Sequence, residues 1–433
     1  MAQERKLKSM HIYFSGIGGV AIGPLARIAR DLGHQVTGSD SAKSRYTDTV
    51  EADGIRVEIG QTTENISKIH QENPIDWFVY TAGLTPDHPE LKFAQDNNIK
   101  ATKRDSFIND FLKEKKLKLL AVAGTHGKTN TTGMLVWMFK QLEIPISYSI
   151  GTNISFGPNG KYQEGSEFFV YEADEFDRNF LRFHPFSSIY TSVDYDHPET
   201  YPTIEEYKKA FSQFAMLSDS LITWRSVAEY VGIEDDYTRH IINDFPDGGK
   251  PEQDIKLIGE HTRKNAFLAL SMMKAIMPDL DRAKILEAIN SFPGTERRME
   301  KLADNLYSDY AHHPVEIRAA LEAASELGQP VVVVYQPHQN VRQHQVQNYY
   351  LDVFDDVEKV YWLPTYLSRE QYNLPLLKPE DLIVKLSDPQ VTEVADMNDS
   401  LKLHIDNHRQ DGNLVILLNA GSLDAWAREN LVN

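Results

Sequence analysis

The segment LKLLAVAGTHGKTNTTGMLVWMFKQLEIP, residues 117–145, constrains the fold more than any other stretch of the chain. An apolar run, a turn bounded by glycines and an apolar-spaced helix follow one another directly. This reads as strand, phosphate loop, helix. Gly124 and Gly127 free the turn, so that backbone N–H groups around Thr125 and His126 can point at phosphate oxygens, and a helix beginning near Thr129 adds positive potential. Lys128 can reach β and γ phosphates, and the Thr129 hydroxyl can hold Mg²⁺. The broad form of the motif asks for glycine where this chain has Val122, so the match rests on GKT and its strand-loop-helix setting. The competing reading is a tight strand-to-helix turn with a surface lysine.

The rest of the chain repeats the α/β alternation. His11 to Phe14 reads as a strand, Val20 to Leu32 as a helix stopped by Gly33, and Gln35 to Gly38 as a second strand. Apolar runs at FFVYEAD, SSIYTSVDYDH, VVVVYQP and LVILLNAG are near-continuous, as strands covered on both faces must be. A helix is expected from His261 to about Met277. At 433 residues the chain exceeds one compact core, and 41% hydrophobic residues can fill several. Three α/β domains, each on a mainly parallel sheet, are expected: 1–114 Rossmann-like, 115–297 like a P-loop ATPase, and 298–433 Rossmann-like.

The formal charge of −18 argues against nucleic acid as a partner, since backbone binding needs clustered Lys and Arg. With no cysteine there are no disulfides, thiolate metal sites or cysteine nucleophiles. No apolar stretch reaches membrane-spanning length and no signal pattern opens the chain, so a cytoplasmic protein without membrane association is expected.

Candidate ligand groups gather at strand ends, where open α/β sheets bind. Gly16, Gly18 and Gly19, with Ser39 and Asp40 after the second strand, resemble a dinucleotide fingerprint. NAD or the diphosphate of another nucleotide conjugate fits equally, and close packing of strand on helix is the plain alternative. Glu172 and Asp174 share a face if their strand persists, and two carboxylates there would repel without a cation such as Mg²⁺. His197, in DYDH, could be a ligand, a base or a satisfied surface histidine. Arg297 and Arg298 lie where the second domain is expected to end and could reach a γ-phosphate or form an interdomain salt bridge. Asp309 could accept ribose hydroxyls. His312, His313, His338 and Arg342 stand close to further strand ends.

Together these stretches resemble the Mur ligase family. The resemblance is carried by SGIGGVAIGPLA, TGSD, TAG, AGTHGKTNTT, YEADEFDRNFL, DYDHPETY, the His261 and Asn265 pair, FPGTERR, SDYAHHPVEI and QPH, spread over residues 15 to 338. It implies a first domain for the UDP end of a sugar substrate, a second for ATP, and a third that binds the amino acid and closes over the site. It implies an ATP-dependent ligase that phosphorylates the carboxylate of UDP-N-acetylmuramate and couples it to L-alanine, in a monomer or weak dimer. Under it the glycine turn becomes a diphosphate cradle, with Ser39 and Asp40 beside it. Lys128, His197 and Arg297 become catalytic, and Gly124 to Thr129, Asn265, Arg297 and Asp309 become ATP contacts. Thr129, Glu172 and His197 become Mg²⁺ ligands, and His338 and Arg342 face the amino acid.

The chain departs from the family pattern in places. Asn130 interrupts the threonines after the lysine, Gln339 stands in QNVRQ where a base is common, and Asn419-Ala420-Gly421-Ser422 replaces a Gly-Ala-Gly-Asp motif, with Asp424 displaced. The last two bear on the identity of the amino acid. A ligase for a different amino acid or for a preformed peptide is the alternative, but ten residues between Asp177 and Ser188 leave no room for the insertion usual in peptide-joining relatives.

Overall fold

The computed structural model describes residues 9–81, 83–197, 199–236, 238–242, 253–368, 370 and 374–432. Ala82 of TAG and Pro198 of DYDHPETY lie outside them. The chain forms two compact units, one of residues 1–254 with 265–292, the other of 255–264 with 293–433.

The first unit carries two sheets. Strands β1 (His11–Ser15), β2 (Gln35–Asp40), β3 (Arg56–Ile59), β4 (Trp77–Tyr80) and β5 (Lys100–Lys103) form an all-parallel sheet in the order 3-2-1-4-5. The order reverses at β1, so the glycine turn that follows it sits at the switch point where such sheets take ligands. The first helix runs Gly23–Asp31 rather than from Val20. Gly19 and Gly23 amides close turns on Gly16 and Gly19 carbonyls, and Pro24, fixed in φ, starts the helix proper.

The second sheet holds β6 (Lys118–Ala123), β7 (Ser147–Ser149), β8 (Gly160–Lys161), β9 (Phe168–Glu172), β10 (Ser187–Tyr190), β11 (Leu221–Trp224) and β12 (Arg239–Ile242), in the order 12-11-10-6-9-7-8. Only β8 runs antiparallel. β9 and β10 flank β6, so the loops after all three converge at one edge.

One hydrophobic core serves both sheets. The helix Arg104–Lys115 shows how: Phe107 packs edge-on to Phe14 of the first sheet at 5.5 Å, and Phe111, one turn on, packs on Phe169 of the second at 5.3 Å. Polar ties reinforce the join. Buried Arg27 bridges Asp53 and the Asn159 side chain, and Gly160 meets the backbone of Pro24 so closely that a Cβ would lie 2.2 Å from the Pro24 carbonyl oxygen.

The second unit holds a sheet of β13 (Glu300–Ala303), β14 (Leu306–Asp309), β15 (Val331–Gln336), β16 (Lys359–Trp362), β17 (Thr392–Val394) and β18 (Leu414–Asn419), ordered 13-14-18-15-16-17. All neighbours are parallel except β13 with β14. Hydrophobic clusters cover both faces, which is why β15 and β18 are apolar up to their last residues, Gln336 and Asn419. The α/β class with mainly parallel sheets thus follows from strands that alternate with helices. Among the described residues no helix is long and apolar enough to cross a membrane.

Candidate active site

β6 stays in register with β9 and β10 through Val122, whose backbone pairs with Glu172 and Ile189. Val122 is therefore strand, and the phosphate loop begins only at Gly124. Gly124 has φ +136°, and a Cβ there would lie 2.2 Å from Thr191 Oγ1. Gly127 has φ +79°, and a Cβ would lie 2.4 Å from Asn265 Nδ2. Both glycines are thus required twice over, by backbone conformation and by a neighbour's approach. Asn265, on the helix Glu260–Ile276, is thereby placed against the loop. The Thr125 hydroxyl meets Tyr207 Oη at 2.7 Å and receives the Asp194 amide at 2.9 Å, and the His126 amide donates to Ser192 Oγ at 3.1 Å.

Lys128 opens the helix Lys128–Gln141. Its ammonium donates to the carbonyls of Gly124 (2.5 Å) and Thr125 (3.2 Å) and to both Glu175 oxygens (2.8 and 3.1 Å). The Glu175 side chain is 1% exposed. Burial works against the lysine's charge, but Glu175 and Asp174 outweigh it and hold its pKa above the usual range. Burial likewise raises Glu175, against the pull of Lys128. Tyr201 Oη donates to the Glu175 carbonyl at 2.6 Å, fixing this turn.

The Thr129 hydroxyl donates to Glu172 Oε1 at 2.9 Å, and Glu172 Oε2 accepts the Gly151 amide at 3.1 Å. β9 ends at Glu172, yet Glu172 and Asp174 still line one cavity of about 150 Å³. His197, at φ +57°, turns to Glu175 (3.9 Å), Asp196 (3.8 Å) and Glu199 (3.2 Å). Thr129 and Glu172 therefore form one pair, while His197 and Lys128 meet at Glu175. Among the described residues no group of three or more His, Asp or Glu side chains is set to hold a metal.

At the glycine turn, Gly16 has φ +78°, and the Asp40 carboxylate accepts the Gly18 amide at 2.9 Å. Asp40 thus shapes the turn, and Ser39 is buried beside it. Arg104, the first residue of its helix, is 8% exposed; its Nη2 donates to Asp174 at 3.1 Å, and the Asn179 amide, assigned with its oxygen toward the guanidinium because the nitrogen there would face only donors, accepts from Nη2 (2.8 Å) and Nε (2.9 Å). Burial opposes its charge, and Tyr171 and Asp174 outweigh burial, so its pKa lies above the usual range.

In the second unit the ends of β14, β18 and β15 lie side by side. Asp309 is buried and accepts the Met299 (2.7 Å) and Ala311 (2.8 Å) amides, with burial raising its pKa against the pull of Arg298. Arg297 Nη2 donates to the Asn419 carbonyl at 2.6 Å, and its guanidinium lies 4.6 Å from the Tyr310 ring centre. Arg342 contacts His312, whose ring meets His338 edge-on at 5.6 Å, and His338 stacks on Tyr366 at 5.8 Å. Gln336 Nε2 donates to Ser422 Oγ at 3.2 Å, so the altered Asn-Ala-Gly-Ser turn is bound to the end of β15.

Glu175, Arg104, Asn179 and Tyr366 were not among the expected site residues. Glu175 falls within the EADE run, but nothing in its spacing sets it apart from Asp174. The others become neighbours of the site only through packing.

Family models match the chain as the catalytic domain of the Mur ligase family over residues 11–116 and as the Mur ligase middle domain over 122–224. The UDP-N-acetylmuramate–L-alanine ligase of Clostridium botulinum strain Langeland is 30% identical over 455 residues, covering 96% of each chain. The chain belongs to the Mur ligase family. Another Mur ligase, the UDP-N-acetylmuramate–L-alanine ligase of Clostridium perfringens, is 29% identical over 95% of each chain. Among solved structures, the UDP-N-acetylmuramate-alanine ligase MurC of Thermotoga maritima shares this Mur ligase's fold with a TM-score of 0.79 at 22% identity, covering 98% of both chains. A murein peptide ligase of Psychrobacter arcticus gives 0.68 at 21% identity over the same share.

Proposed function

We propose that the chain is an ATP-dependent ligase that joins L-alanine to the carboxylate of UDP-N-acetylmuramate in peptidoglycan precursor synthesis. The observation that carries this reading is a phosphate loop with Lys128, Thr129 and Glu172 assembled at its mouth, in a chain that matches a ligase of that name over 96% of its length. A carboxylate oxygen attacks the γ-phosphorus of ATP and ADP leaves. The amine of alanine then attacks the acyl carbon, the C–O bond to phosphate breaks, and the amine gives up a proton.

Within this reading, residues 1–114 bind the nucleotide-sugar, 115–297 bind ATP and 298–433 bind the amino acid. Lys128 holds charge beside the transferring phosphoryl group, and Gly16 to Gly19 cradle the diphosphate. The Thr129 hydroxyl and the Glu172 carboxylate are a hard-oxygen pair of the kind Mg²⁺ takes and would hold the ion. Bound there, the ion would neutralise phosphate charge.

Phosphate release from ATP is the test. Turnover should require both UDP-N-acetylmuramate and an amino acid, and equal hydrolysis without either would defeat the reading. Across twenty amino acids, L-alanine should be preferred, with measurable use of glycine and L-serine, because one methylene more or less is worth only about 1–3 kcal/mol in a pocket. A preference for a large or charged residue would reject alanine.

A further inference from the structure

We infer that Arg104 binds the carboxylate of the nucleotide-sugar substrate, which rests on the ligase reading above. The argument begins with a cavity of about 150 Å³ in the first unit. At one side it is lined by Val20 and Ala21, directly after the glycine turn. At the other it is lined by Tyr171, Glu172 and Asp174, with Glu172 bonded to Thr129 of the phosphate loop. A molecule seated on the glycine turn can reach toward the γ-phosphate of ATP through this space, and the arm that must make that reach carries the reacting carboxylate.

The cavity's charge makes the assignment specific. Glu172 and Asp174 both repel an incoming carboxylate. Arg104 is the one base among the described lining residues. Its Nε and Nη2 are taken by Asn179 and Asp174, which fix the plane of the guanidinium. Those bonds use Nε and Nη2 and not Nη1. A guanidinium held in this way is pre-organised for a carboxylate oxygen, as a flexible ammonium is not. The helix that carries Arg104 packs Phe107 on the first sheet and Phe111 on the second, so its first turn is set firmly against the cavity.

Two nucleotide-sugars separate this role from a structural one. UDP-N-acetylmuramate has the carboxylate, and UDP-N-acetylglucosamine is the same molecule without the lactyl arm. Equilibrium binding of both should be measured on the full chain, on Arg104→Gln and on Arg104→Lys. Arg104→Gln should lose affinity for UDP-N-acetylmuramate by roughly 30-fold, as for a lost charge-assisted hydrogen bond. Its affinity for UDP-N-acetylglucosamine should change by less than about twofold on the same argument. Arg104→Lys should recover part of the preference. In turnover, both variants should raise KM for UDP-N-acetylmuramate and leave KM for ATP unchanged. Equal loss of both nucleotide-sugars, or a preserved preference in Arg104→Gln, would overturn the assignment. A parent protein that binds the two equally would overturn it as well, whereas phosphate release from ATP that does not depend on UDP-N-acetylmuramate would overturn the ligase reading itself.

Discussion

The Lys128 ammonium sits 2.8 Å from the buried Glu175 carboxylate, so the phosphate-loop lysine is already paired with an internal anion. Its remaining bonds go to carbonyls of its own loop. An arriving phosphate must therefore compete with Glu175 for the same cation. In Glu175→Gln the carboxylate's charge is gone and the lysine loses its bonded counterion until phosphate supplies one. ADP should bind roughly tenfold more tightly, equivalent to about 1.4 kcal/mol. The nucleotide-free protein should lose about 3 kcal/mol of stability, as when one partner of a buried pair is removed. Calorimetric titration and thermal unfolding check both, and weaker ADP binding would mean that Glu175 aids nucleotide capture.

Replacing the lysine itself has a different signature. Under the proposed function Lys128→Ala removes charge compensation at the phosphoryl group, a loss of about 3–4 kcal/mol for one well-placed donor. Turnover should fall a hundredfold or more on that scale, with the circular dichroism spectrum unchanged. A variant within about fivefold of the parent would remove Lys128 from the mechanism.

Gly127→Ala tests the loop geometry. Alanine at φ +79° is strained, and its Cβ would lie 2.4 Å from Asn265 Nδ2. The strain alone costs on the order of 1–2 kcal/mol. Asn265 must also move away from the loop. ATP affinity should fall by more than about tenfold, and Asn265→Ala in the same chain should restore part of the thermal stability that Gly127→Ala loses, by opening the space. If the double variant unfolds no later than Gly127→Ala, the close approach is not what strains the loop.

His312 predicts how the second unit responds to acid. Burial lowers its pKa to about 4, Arg342 adds to the effect, and Glu316 opposes it. Its ring also faces the Tyr310 carbonyl and His338. Because the folded pKa lies below the unfolded value of about 6.5, the unfolded chain binds more protons between the two. This contribution to stability is fully present above about pH 6.5 and declines as pH falls toward 4, by about 3 kcal/mol in total. Urea midpoints should show His312→Gln losing less stability than the parent across that window. Parallel curves would show that His312 is not the group responsible.

The elements that the sequence made legible are those whose signal is local. β6, its glycine loop and the following helix can be read from consecutive residues, because strand, turn and helix each need particular neighbours in the chain. The apolar runs of β15 and β18 follow from burial on both faces. The candidate residues at strand ends could be named because a parallel sheet places its loops at one edge. Three side-chain pairings were decided by the tertiary structure alone. Glu175 takes Lys128 because β9 lies beside β6, whereas sequence spacing cannot choose among the acids of EADE. Arg104 reaches Asp174 because Phe107 and Phe111 seat one helix on two sheets. Arg297 turns to Asn419, 122 positions away, because β14 and β18 are neighbours. A side chain's identity states which bonds it can make, but its partners depend on which distant strands the core brings together.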